Sequence, residues 1–465
     1  MELLKTNSVF FCNINLKTNK MKFNGKKFLE DLEWRGLIAS TSGNIVEMFN
    51  KQVTFYMGTD CTSIPDSALN SNFPQITTSL HVGHLLAFVT AKRFQLYGHK
   101  PIILIGKSTA AVGDLAGRTK ERDLISYERI NQNAKCLEMQ IKQLLNFEDG
   151  QDNQAIMVSN EEWLGGMNLI DYARDFGKLI PINYMLSKDS VKLRLENGGL
   201  SLCEFLYSTL QGVDMYHLYK EYGCTVQIGG DDQQGSMSYG SMLVRKLLGS
   251  DKECCTLTWP LITKSDGTKF GKSESGCVYL NKYLTSPYQF YQFWLNIEDD
   301  DAKRFIKMFT LLPKEEIESL IEEHDKAPHL RILQKRLAEE VTVMVHSREE
   351  YEKAVNASSI LFGDATKDAL ESLDETTLLS ALSGVPTFNT SKENCDNVKL
   401  TDLLVEKTNI FKSKGELRKL IANGGLSINK VKITSDCFIN KECLLNSKYL
   451  LIQQGKKKYS LIIAE

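Results

Sequence analysis

Short apolar runs recur along the first half of the chain, and helical patterns lie between them. The clearest run is Pro101-Ile-Ile-Leu-Ile-Gly106, which is apolar on both faces, as a strand buried in a parallel sheet is. Similar runs start at Val53, Gln154 and Thr225. This alternation predicts an α/β fold with a doubly wound parallel sheet, which binds ligands beyond the carboxyl ends of its strands.

The most distinctive polar motif, His81-Val-Gly-His84, stands directly before a helical pattern. The start of a helix exposes backbone N–H groups and the positive end of the helix dipole, so imidazoles there favour phosphate binding. Gly83 has no side chain that would hold a flat ring away from the backbone. On its own, the motif also fits an ordinary helix cap that bears histidines.

Further polar residues follow three of the predicted strands. They are Asp60, Thr109, Asp114, Asp232 and Gln233. Because the carboxyl ends of parallel strands meet at one edge of the sheet, we expect these side chains to lie close together.

A helical pattern from Leu202 to Tyr219 adds three polar side chains. Tyr207, Gln211 and Asp214 are spaced i, i+4 and i+7, which puts them on one face of the helix. Tyr and Gln can simply line a helix surface. The rest of this helix is rich in Leu, Phe and Tyr, so the three residues favour a ligand pocket.

A glycine-interrupted loop with three lysines runs from Thr263 to Ser273. Such a loop can move, and it can lay Lys269 and Lys272 against a polyphosphate as point charges. Taken alone, the loop is equally typical of a solvated turn.

The remaining chain divides by composition. A charged helical pattern begins near Ser286 and includes a helix started by Pro313, and a stretch rich in Pro, Thr and Asn at 384–397 predicts a linker. The predicted organisation is an N-terminal extension at 1–20, a catalytic domain at 21–260, the lysine loop at 261–285, an all-α helical domain at 286–388 and a small α+β RNA-binding domain at 398–465.

The last module is basic. From Val398 onward it holds thirteen Lys or Arg against six Asp or Glu, although the whole chain has a formal charge of −2. This asymmetry is typical of a module that touches nucleic acid. The candidate contacts flank one helix-to-strand turn and suit a folded RNA backbone: Lys412, Lys414, Arg418, Lys419, Lys430 and Lys432.

Other features bound the class of protein. No apolar run approaches the length of a membrane span, so we expect no membrane segment. The eleven cysteines lack zinc-ligand spacing, which predicts reduced thiols and no resident metal. Residues 1–20 carry Lys5, Lys17 and Lys20 against Glu2, a pattern that fits either an organelle-targeting leader or a plain N-terminal extension.

Three motifs together, in this order, resemble those of the bacterial and organellar tyrosyl-tRNA synthetases: His81-Val-Gly-His84, Gln227-Ile-Gly-Gly-Asp-Asp-Gln233 and Lys269-Phe-Gly-Lys-Ser273. The stretch Gly117-Arg-Thr-Lys-Glu-Arg122 is more similar to the mitochondrial branch. The basic end resembles the family's small RNA-binding domain. The resemblance therefore implies a class I enzyme with a Rossmann-type catalytic domain.

The resemblance implies a two-step reaction. The carboxylate of L-tyrosine attacks the α-phosphate of ATP to give tyrosyl-adenylate and pyrophosphate, and the tyrosyl group then passes to the 3′ end of tRNA(Tyr). It also implies that Mg²⁺ accompanies ATP and that the enzyme is a homodimer. We expect the mitochondrial matrix as the compartment, with the cytoplasm as the alternative.

The resemblance also implies a role for each motif residue. Catalysis at the phosphates is carried by Thr62, His81, His84, Lys269 and Lys272. The remaining ATP contacts are Gly58, Gly83, Gly230, Asp232 and Ser273. The tyrosine contacts are Tyr56, Asp60, Thr109, Asp114, Tyr207, Gln211, Asp214 and Gln233. Among these, Asp114, Tyr207 and Gln211 meet the amino group, whereas Tyr56 and Asp214 meet the phenol.

The sequence departs from the family pattern at several places, and two of them bear most on the site. Residues 63–77 are inserted between Thr62 and the first signature, and Asp231 stands where the family has a serine. The extra carboxylate could repel phosphate or bind magnesium through water. Two other functions remain open: a small-molecule nucleotidyltransferase, which needs no basic final module, and a non-catalytic RNA-binding protein, which needs no intact signatures.

Overall fold

The computed structural model describes residues 23–69, 73–114, 123–148, 150–265, 267–268, 270–273, 276–362, 370–382, 385–455 and 458–465. The expected leader at 1–20 and the stretch from Gly117 to Arg122 lie outside these residues. The chain divides into two compact units. The first runs to Thr285 and includes Phe293–Val345, and the second comprises Ser286–Gln292 and His346–Glu465.

A six-stranded sheet forms the centre of the first unit. Its strands are β1 (Ser40–Ser42), β2 (Thr54–Asp60), β3 (Lys100–Gly106), β4 (Ile156–Ser159), β5 (Cys224–Gly230) and β6 (Cys255–Trp259). Their spatial order is β1-β6-β5-β2-β3-β4, and every neighbouring pair is parallel except β1 with β6. The order reverses between β2 and β5, which is the switch point where such sheets bind ligands. The predicted doubly wound fold is confirmed.

Buried apolar side chains explain the strands of the sheet. Ile102 and Ile103 in β3 are fully buried, as expected for a parallel strand covered on both faces. The α-helices of this unit lie at Gly25–Trp34, Ile45–Met48, Val82–Leu96, Lys107–Val112, Tyr127–Leu144, Glu161–Leu164, Leu169–Asp175, Ile182–Leu186, Asp189–Glu196, Leu202–Tyr222, Gln234–Leu248, Asp299–Phe309, Lys314–Lys326 and Ile332–Val345.

The compact units divide the chain differently from the predicted domains. The helices Asp299–Phe309, Lys314–Lys326 and Ile332–Val345 belong to the first unit, although the sequence grouped them with later helices in a domain at 286–388. One reason is aromatic packing. The rings of Phe305 and Phe309 contact Phe270, which belongs to the loop of the catalytic unit.

The second unit combines helices with a small sheet. Its α-helices are Arg348–Phe362, Glu375–Ala381, Leu400–Asp402 and Lys414–Ala422, and the helix Pro287–Leu295 begins in it. A five-stranded sheet holds, in spatial order, Val431–Lys432, Leu426–Ile428, Tyr449–Gln454, Lys458–Ala464 and Thr387–Thr390. Shorter strand pairs in the chain are Val398–Lys399 with Phe438–Ile439 and, in the first unit, Lys272–Ser273 with Gly276–Cys277.

The stretch predicted as a linker is partly a strand. Thr387–Thr390 pairs in parallel with the strand Lys458–Ala464 at the edge of the small sheet. Only backbone pairing with a distant segment makes it regular, because its own side chains are mostly polar and outward. Within the described residues, no helix is both long enough and apolar enough to cross a membrane.

Candidate active site

The two signature histidines cap the helix Val82–Leu96. His81 is the N-cap residue, and its Nδ1 accepts a hydrogen bond from the Gly83 N–H at 3.0 Å. The Nδ1 of His84 accepts one from the His81 N–H at 3.3 Å, so the pair forms a reciprocal capping box. The two rings stack with centroids 3.7 Å apart. The predicted position at a helix start is confirmed.

The surroundings of the two rings determine their charge and their tautomer. Burial lowers the pKa of His81 to about 4 and that of His84 to about 3, so both are neutral at neutral pH. Since each Nδ1 accepts a hydrogen bond, the single proton of each ring is on Nε2. A Cβ on Gly83 would lie 2.8 Å from the His81 ring, which explains the glycine.

The second signature, Lys269–Ser273, lies directly against the first, His81–His84. The Val82 N–H donates to the Val278 carbonyl, and the Val278 N–H donates to the Gly271 carbonyl, both at 3.0 Å. Gly271 has a φ of +95°, and a Cβ there would approach Val82 Cγ2 at 3.3 Å. Lys269 lies outside the described residues, and Lys272 and Ser273 are described only as backbone of a short strand.

A polar cluster at the ends of β2 and β3 is centred on Asp60. Its Oδ1 accepts from the Thr109 hydroxyl at 2.8 Å, and its Oδ2 accepts from the Tyr207 hydroxyl at 2.9 Å. Gly106 leaves room for this contact, because a Cβ there would lie 2.1 Å from Asp60 Oδ1. The strand-end residue Asp60 and two helix residues, Thr109 and Tyr207, all singled out in the sequence, therefore meet.

A second buried carboxylate, Asp214, lies beside this cluster. It accepts from Trp163 Nε1 at 2.8 Å and from Asn160 Nδ2 at 3.2 Å, while Asn160 Nδ2 also lies 3.0 Å from the Thr109 hydroxyl. Burial raises the pKa of Asp214 to about 7, although both hydrogen bonds lower it. Both donors come from the segment that follows β4, since Asn160 is the N-cap residue of the short helix that contains Trp163.

Tyr56 contributes a buried hydroxyl from β2. Its oxygen accepts from Gln227 Nε2 at 2.7 Å. Its pKa is raised well above the usual value, chiefly by burial and also by nearby Asp214, while Gln211 lowers it. Tyr56, Gln211 and Asp214 therefore share one buried region. The spacing of Tyr207, Gln211 and Asp214 on one helix face is confirmed.

The end of β5 holds a separate polar group. Gln233 Nε2 donates to Asp114 Oδ2 at 2.8 Å, and burial together with Asp114 raises the pKa of Asp232. A Cβ on Gly230 would lie 2.6 Å from the Asp232 carboxylate. The extra carboxylate of Asp231 accepts from the Thr258 hydroxyl of β6 at 2.8 Å, which directs it along the sheet edge.

The two ends of the insertion at 63–77 lie close together, because Thr78, which follows it, contacts Thr62, which precedes it. The Thr78 hydroxyl donates to the Thr62 carbonyl at 2.7 Å, and Asn133 donates to the Cys61 carbonyl at 2.9 Å. Thr62 is therefore fixed by its backbone near Asp60, whose carbonyl it also contacts. Gly58, by contrast, has room for a Cβ, whose nearest neighbour would be Leu104 at 3.5 Å.

Three residues of the polar clusters were not predicted. Asn160 directly follows β4, so the strand-end rule applied to the other strands would have found it. Gln227 stands inside the motif at the end of β5, but its side chain points to Tyr56 rather than to the edge. Trp163 carries no signal in the sequence, because only its distance to Asp214 reveals it.

The basic residues of the second unit differ in their surroundings. Lys412, Arg418, Lys419 and Lys432 are exposed. Lys414 pairs with Asp402 and Glu406, both at 2.6 Å. Lys430 lies over the ring of Tyr459, with Nζ 5.4 Å from the ring centre. The candidate RNA surface therefore consists mainly of the four exposed cations.

Residues 75–363 match the family described as tRNA synthetases class I (W and Y), and residues 378–462 match the tyrosine–tRNA ligase SYY-like C-terminal domain. The chain belongs to the class I tyrosine–tRNA ligase family. The first match contains both signatures and the cluster residues that follow the first of them in the chain, whereas Tyr56, Asp60 and Thr62 precede it. The second match contains the basic helix and the five-stranded sheet of the second unit except for its last two residues.

Named relatives support the same family. The chain is 49% identical to the tyrosine–tRNA ligase of Bacteroides fragilis, over 94% of this chain and 100% of the relative. It is 43% identical to that of Flavobacterium johnsoniae, over 94% and 99%. The C-terminally truncated mitochondrial tyrosyl-tRNA synthetase of Aspergillus nidulans superposes with a TM-score of 0.62 at 30% identity, over 72% of this chain and 94% of that one.

Proposed function

We propose that the chain activates L-tyrosine with ATP and transfers the tyrosyl group to the 3′ end of tRNA(Tyr). The observation that carries this proposal is the buried carboxylate of Asp214, held by Trp163 and Asn160 beside the hydroxyl of Tyr56. A buried carboxylate of this kind is suited to a ligand hydroxyl, because an apolar ligand would leave its remaining lone pairs without a donor.

The two ends of tyrosine are proposed to meet different clusters. The phenol hydroxyl donates to Asp214 near Tyr56, and Trp163 and Asn160 keep the carboxylate pointed at it. The ammonium group meets the negative cluster of Asp60 and its neighbours, with Tyr207 and Gln211 on the shared helix face. Asp114 adds a second carboxylate for the ammonium group. Gln233 at the end of β5 suits the α-phosphate or the substrate carboxylate, and Asp232 suits the ribose of the adenylate.

The histidine pair is proposed to act on the phosphates of ATP. As tyrosine attacks, a bond forms between its carboxylate oxygen and the α-phosphorus, and the bond to the pyrophosphate oxygen breaks. Neutral His81 and His84 donate Nε2–H groups to the oxygens on which charge develops. Lys269 and Lys272 are proposed to neutralise the negative charge of the leaving pyrophosphate. Mg²⁺ would enter as part of the ATP substrate.

Exchange between ATP and labelled pyrophosphate tests the activation step. The purified chain is expected to exchange label only when tyrosine is present. Phenylalanine and tryptophan, each tested alone in place of tyrosine, serve as the controls. Tyrosine-dependent exchange supports the proposal. Exchange with another amino acid, or none with a folded protein, contradicts it.

For the transfer step, the second unit is the proposed binding surface for tRNA. Exposed Lys412, Arg418, Lys419 and Lys432 provide point charges for phosphates. Charging of tRNA(Tyr) should therefore weaken as salt rises, while pyrophosphate exchange changes little. Equal salt dependence of the two reactions would contradict this assignment.

A second copy of the chain is the proposed partner of an exposed apolar surface. Four successive α-helices each expose large apolar side chains: Leu169, Ile170, Ile182, Leu186, Leu193, Leu195 and Leu202. Contiguous exposed apolar surface marks association sites. Replacing Ile170 and Ile182 by Lys should convert a dimer to a monomer in sedimentation equilibrium. An unchanged mass would contradict the homodimer.

The mitochondrial matrix is the proposed compartment, on the likeness to the mitochondrial enzyme of Aspergillus nidulans. A cytoplasmic enzyme is the second candidate, favoured by the higher identity to the enzyme of Bacteroides fragilis. Microscopy of a C-terminal fluorescent fusion distinguishes them. A signal that coincides with a matrix marker supports the first, and a diffuse signal overturns it.

A further inference from the structure

The helix Asp299–Phe309 is attached to the lysine loop at its first turn. Asp301 is buried in that turn, and its two carboxylate oxygens accept from the Ser265 N–H at 3.1 and 3.2 Å. The Ser265 hydroxyl lies 3.3 Å from the same carboxylate. A side chain of the helix therefore hydrogen-bonds to the backbone of the loop just before the signature Lys269–Ser273.

A second hydrogen bond from the same helix holds the loop two residues earlier. Arg304, one turn further along the helix, donates to the Thr263 carbonyl. Asp301 orients this arginine, because its Oδ1 lies 2.8 Å from the guanidinium. The buried carboxylate thus supports both attachments, one directly and one through Arg304.

The described part of the loop forms a stem above these attachments. The Lys264 N–H donates to the Thr268 carbonyl at 2.8 Å, and the Phe270 N–H donates to the Ile262 carbonyl at 3.4 Å. The two limbs are therefore joined to each other. Fixing the first limb at Ser265 also fixes the second limb, which leads into the signature.

The other end of the helix is tied to the first signature. The Thr310 carbonyl accepts from Arg93, which lies on the helix capped by His81 and His84. Arg35 donates to the Lys307 carbonyl at 3.1 Å. One helix therefore connects the loop of the second signature to the helix of the first.

We propose that Asp301 is a positioning residue for adenylate formation. It holds the stem of the lysine loop at a fixed place relative to the histidine pair, so that the signature lysines meet the pyrophosphate as it leaves. This inference rests on the proposed function, since it needs the reaction to occur at these signatures. Asp301 itself touches no reacting atom.

Replacing Asp301 with Ala removes the acceptor of the Ser265 N–H and the partner of Arg304. The loop then samples more positions, and the lysines spend less time at the leaving group. Misplacement of a catalytic group by about 1 Å can cost about 100-fold in rate. We therefore expect kcat for pyrophosphate exchange to fall by about 10- to 100-fold, while KM for tyrosine stays within about twofold.

The test compares Asp301→Ala with Asp301→Asn and Asp300→Asn. Asp300 is the exposed neighbour on the same turn and serves as the matched control. Asn at 301 keeps one acceptor for Ser265, so its activity should lie between the other two. A second readout is cleavage of enzyme-bound tyrosyl-adenylate by hydroxylamine, which involves no pyrophosphate and should proceed at the wild-type rate in all three variants.

Each outcome bears on one claim. Slower exchange in Asp301→Ala with normal tyrosine KM and normal hydroxylamine cleavage supports the positioning role. Exchange equal to that of Asp300→Asn, or equal loss of exchange, tyrosine binding and cleavage, overturns it. Absence of exchange in the wild type contradicts the proposed function instead, so the two failures are distinguishable.

Discussion

At the scale of single residues, the chemistry of this site depends on which groups are kept neutral. Desolvation lowers the pKa of both histidines, so each is a hydrogen-bond donor and not a cation at neutral pH. Asp214 has a raised pKa and titrates near neutrality. Burial is the first cause in all three cases.

The histidine geometry predicts different effects of two substitutions at His84. Ala removes both the acceptor for the His81 N–H and the Nε2–H donor, whereas Asn can supply an acceptor and a donor. We expect kcat for exchange to fall by about 10²- to 10³-fold in His84→Ala and by much less in His84→Asn. Steady-state kinetics checks this. Equal losses in the two variants would show that hydrogen bonding is not the role of His84.

The raised pKa of Asp214 predicts a pH-dependent stability difference. Folding raises this pKa from the usual value of about 3.9 to about 7, so the stabilisation by the bound proton is lost as pH rises from about 4 to about 7. Relative to Asp214→Asn, the wild type should therefore become less stable by up to about 4 kcal/mol across that window.

Urea unfolding of the ligand-free proteins at pH 5 and pH 8 measures this difference. The comparison with Asp214→Asn cancels the opposite contribution of the histidines with lowered pKa values, which destabilise the folded protein as pH falls. The same difference in unfolding free energy at both pH values would contradict the raised pKa.

At the scale of elements, the ends of the strands and the starts of the helices position the polar clusters. Much of this could be predicted. The apolar runs gave β2, β3 and β5 to within two residues, and the polar residues after them meet at one sheet edge. The contacts of Asp214 could not be predicted, because Trp163 approaches it only through tertiary packing.

Gly106 tests how closely β2 and β3 must approach at their ends. An Ala there would place Cβ 2.1 Å from Asp60 Oδ1 and 2.5 Å from the Thr109 hydroxyl. We expect a loss of about 1–3 kcal/mol in unfolding free energy, because the contact between Asp60 and Thr109 must open. Thermal unfolding checks this, with Gly58→Ala as the stability control. Equal stability of the two variants would contradict the close approach.

At the scale of the whole molecule, the chain combines a catalytic unit and a basic unit. Composition predicted the basic end, since charge asymmetry is visible without a fold. It did not predict that Thr387–Thr390 joins the small sheet, because strand pairing across about 70 residues leaves no local pattern. Nor did it show that Lys414 is neutralised by Asp402 and Glu406.

This difference among the lysines predicts unequal effects on tRNA charging. Lys419→Ala removes an exposed charge and should raise KM for tRNA(Tyr) several-fold, with a smaller salt dependence. Lys414→Ala removes a charge already paired with two carboxylates and should change KM for tRNA less. Pyrophosphate exchange should be unaffected in both. A larger effect at Lys414 would contradict the proposed RNA surface.

The central claim is that the buried carboxylate of Asp214 selects tyrosine by its hydroxyl. Tyrosyl-tRNA synthetases are themselves the standard example of such discrimination against phenylalanine. The most direct measurement is the ratio of kcat/KM for tyrosine and phenylalanine in pyrophosphate exchange by the wild type and Asp214→Ala. Ser208→Ala is the control, because its hydroxyl lies on the same helix but contacts Ser236.

We expect Asp214→Ala to lower this ratio by about 100-fold, chiefly through loss of activity with tyrosine, because a hydrogen bond to a charged acceptor contributes about 1.5–3 kcal/mol. Ser208→Ala should keep the wild-type ratio. An unchanged ratio in a folded Asp214→Ala protein would show that another residue reads the phenol and would contradict the account of the site.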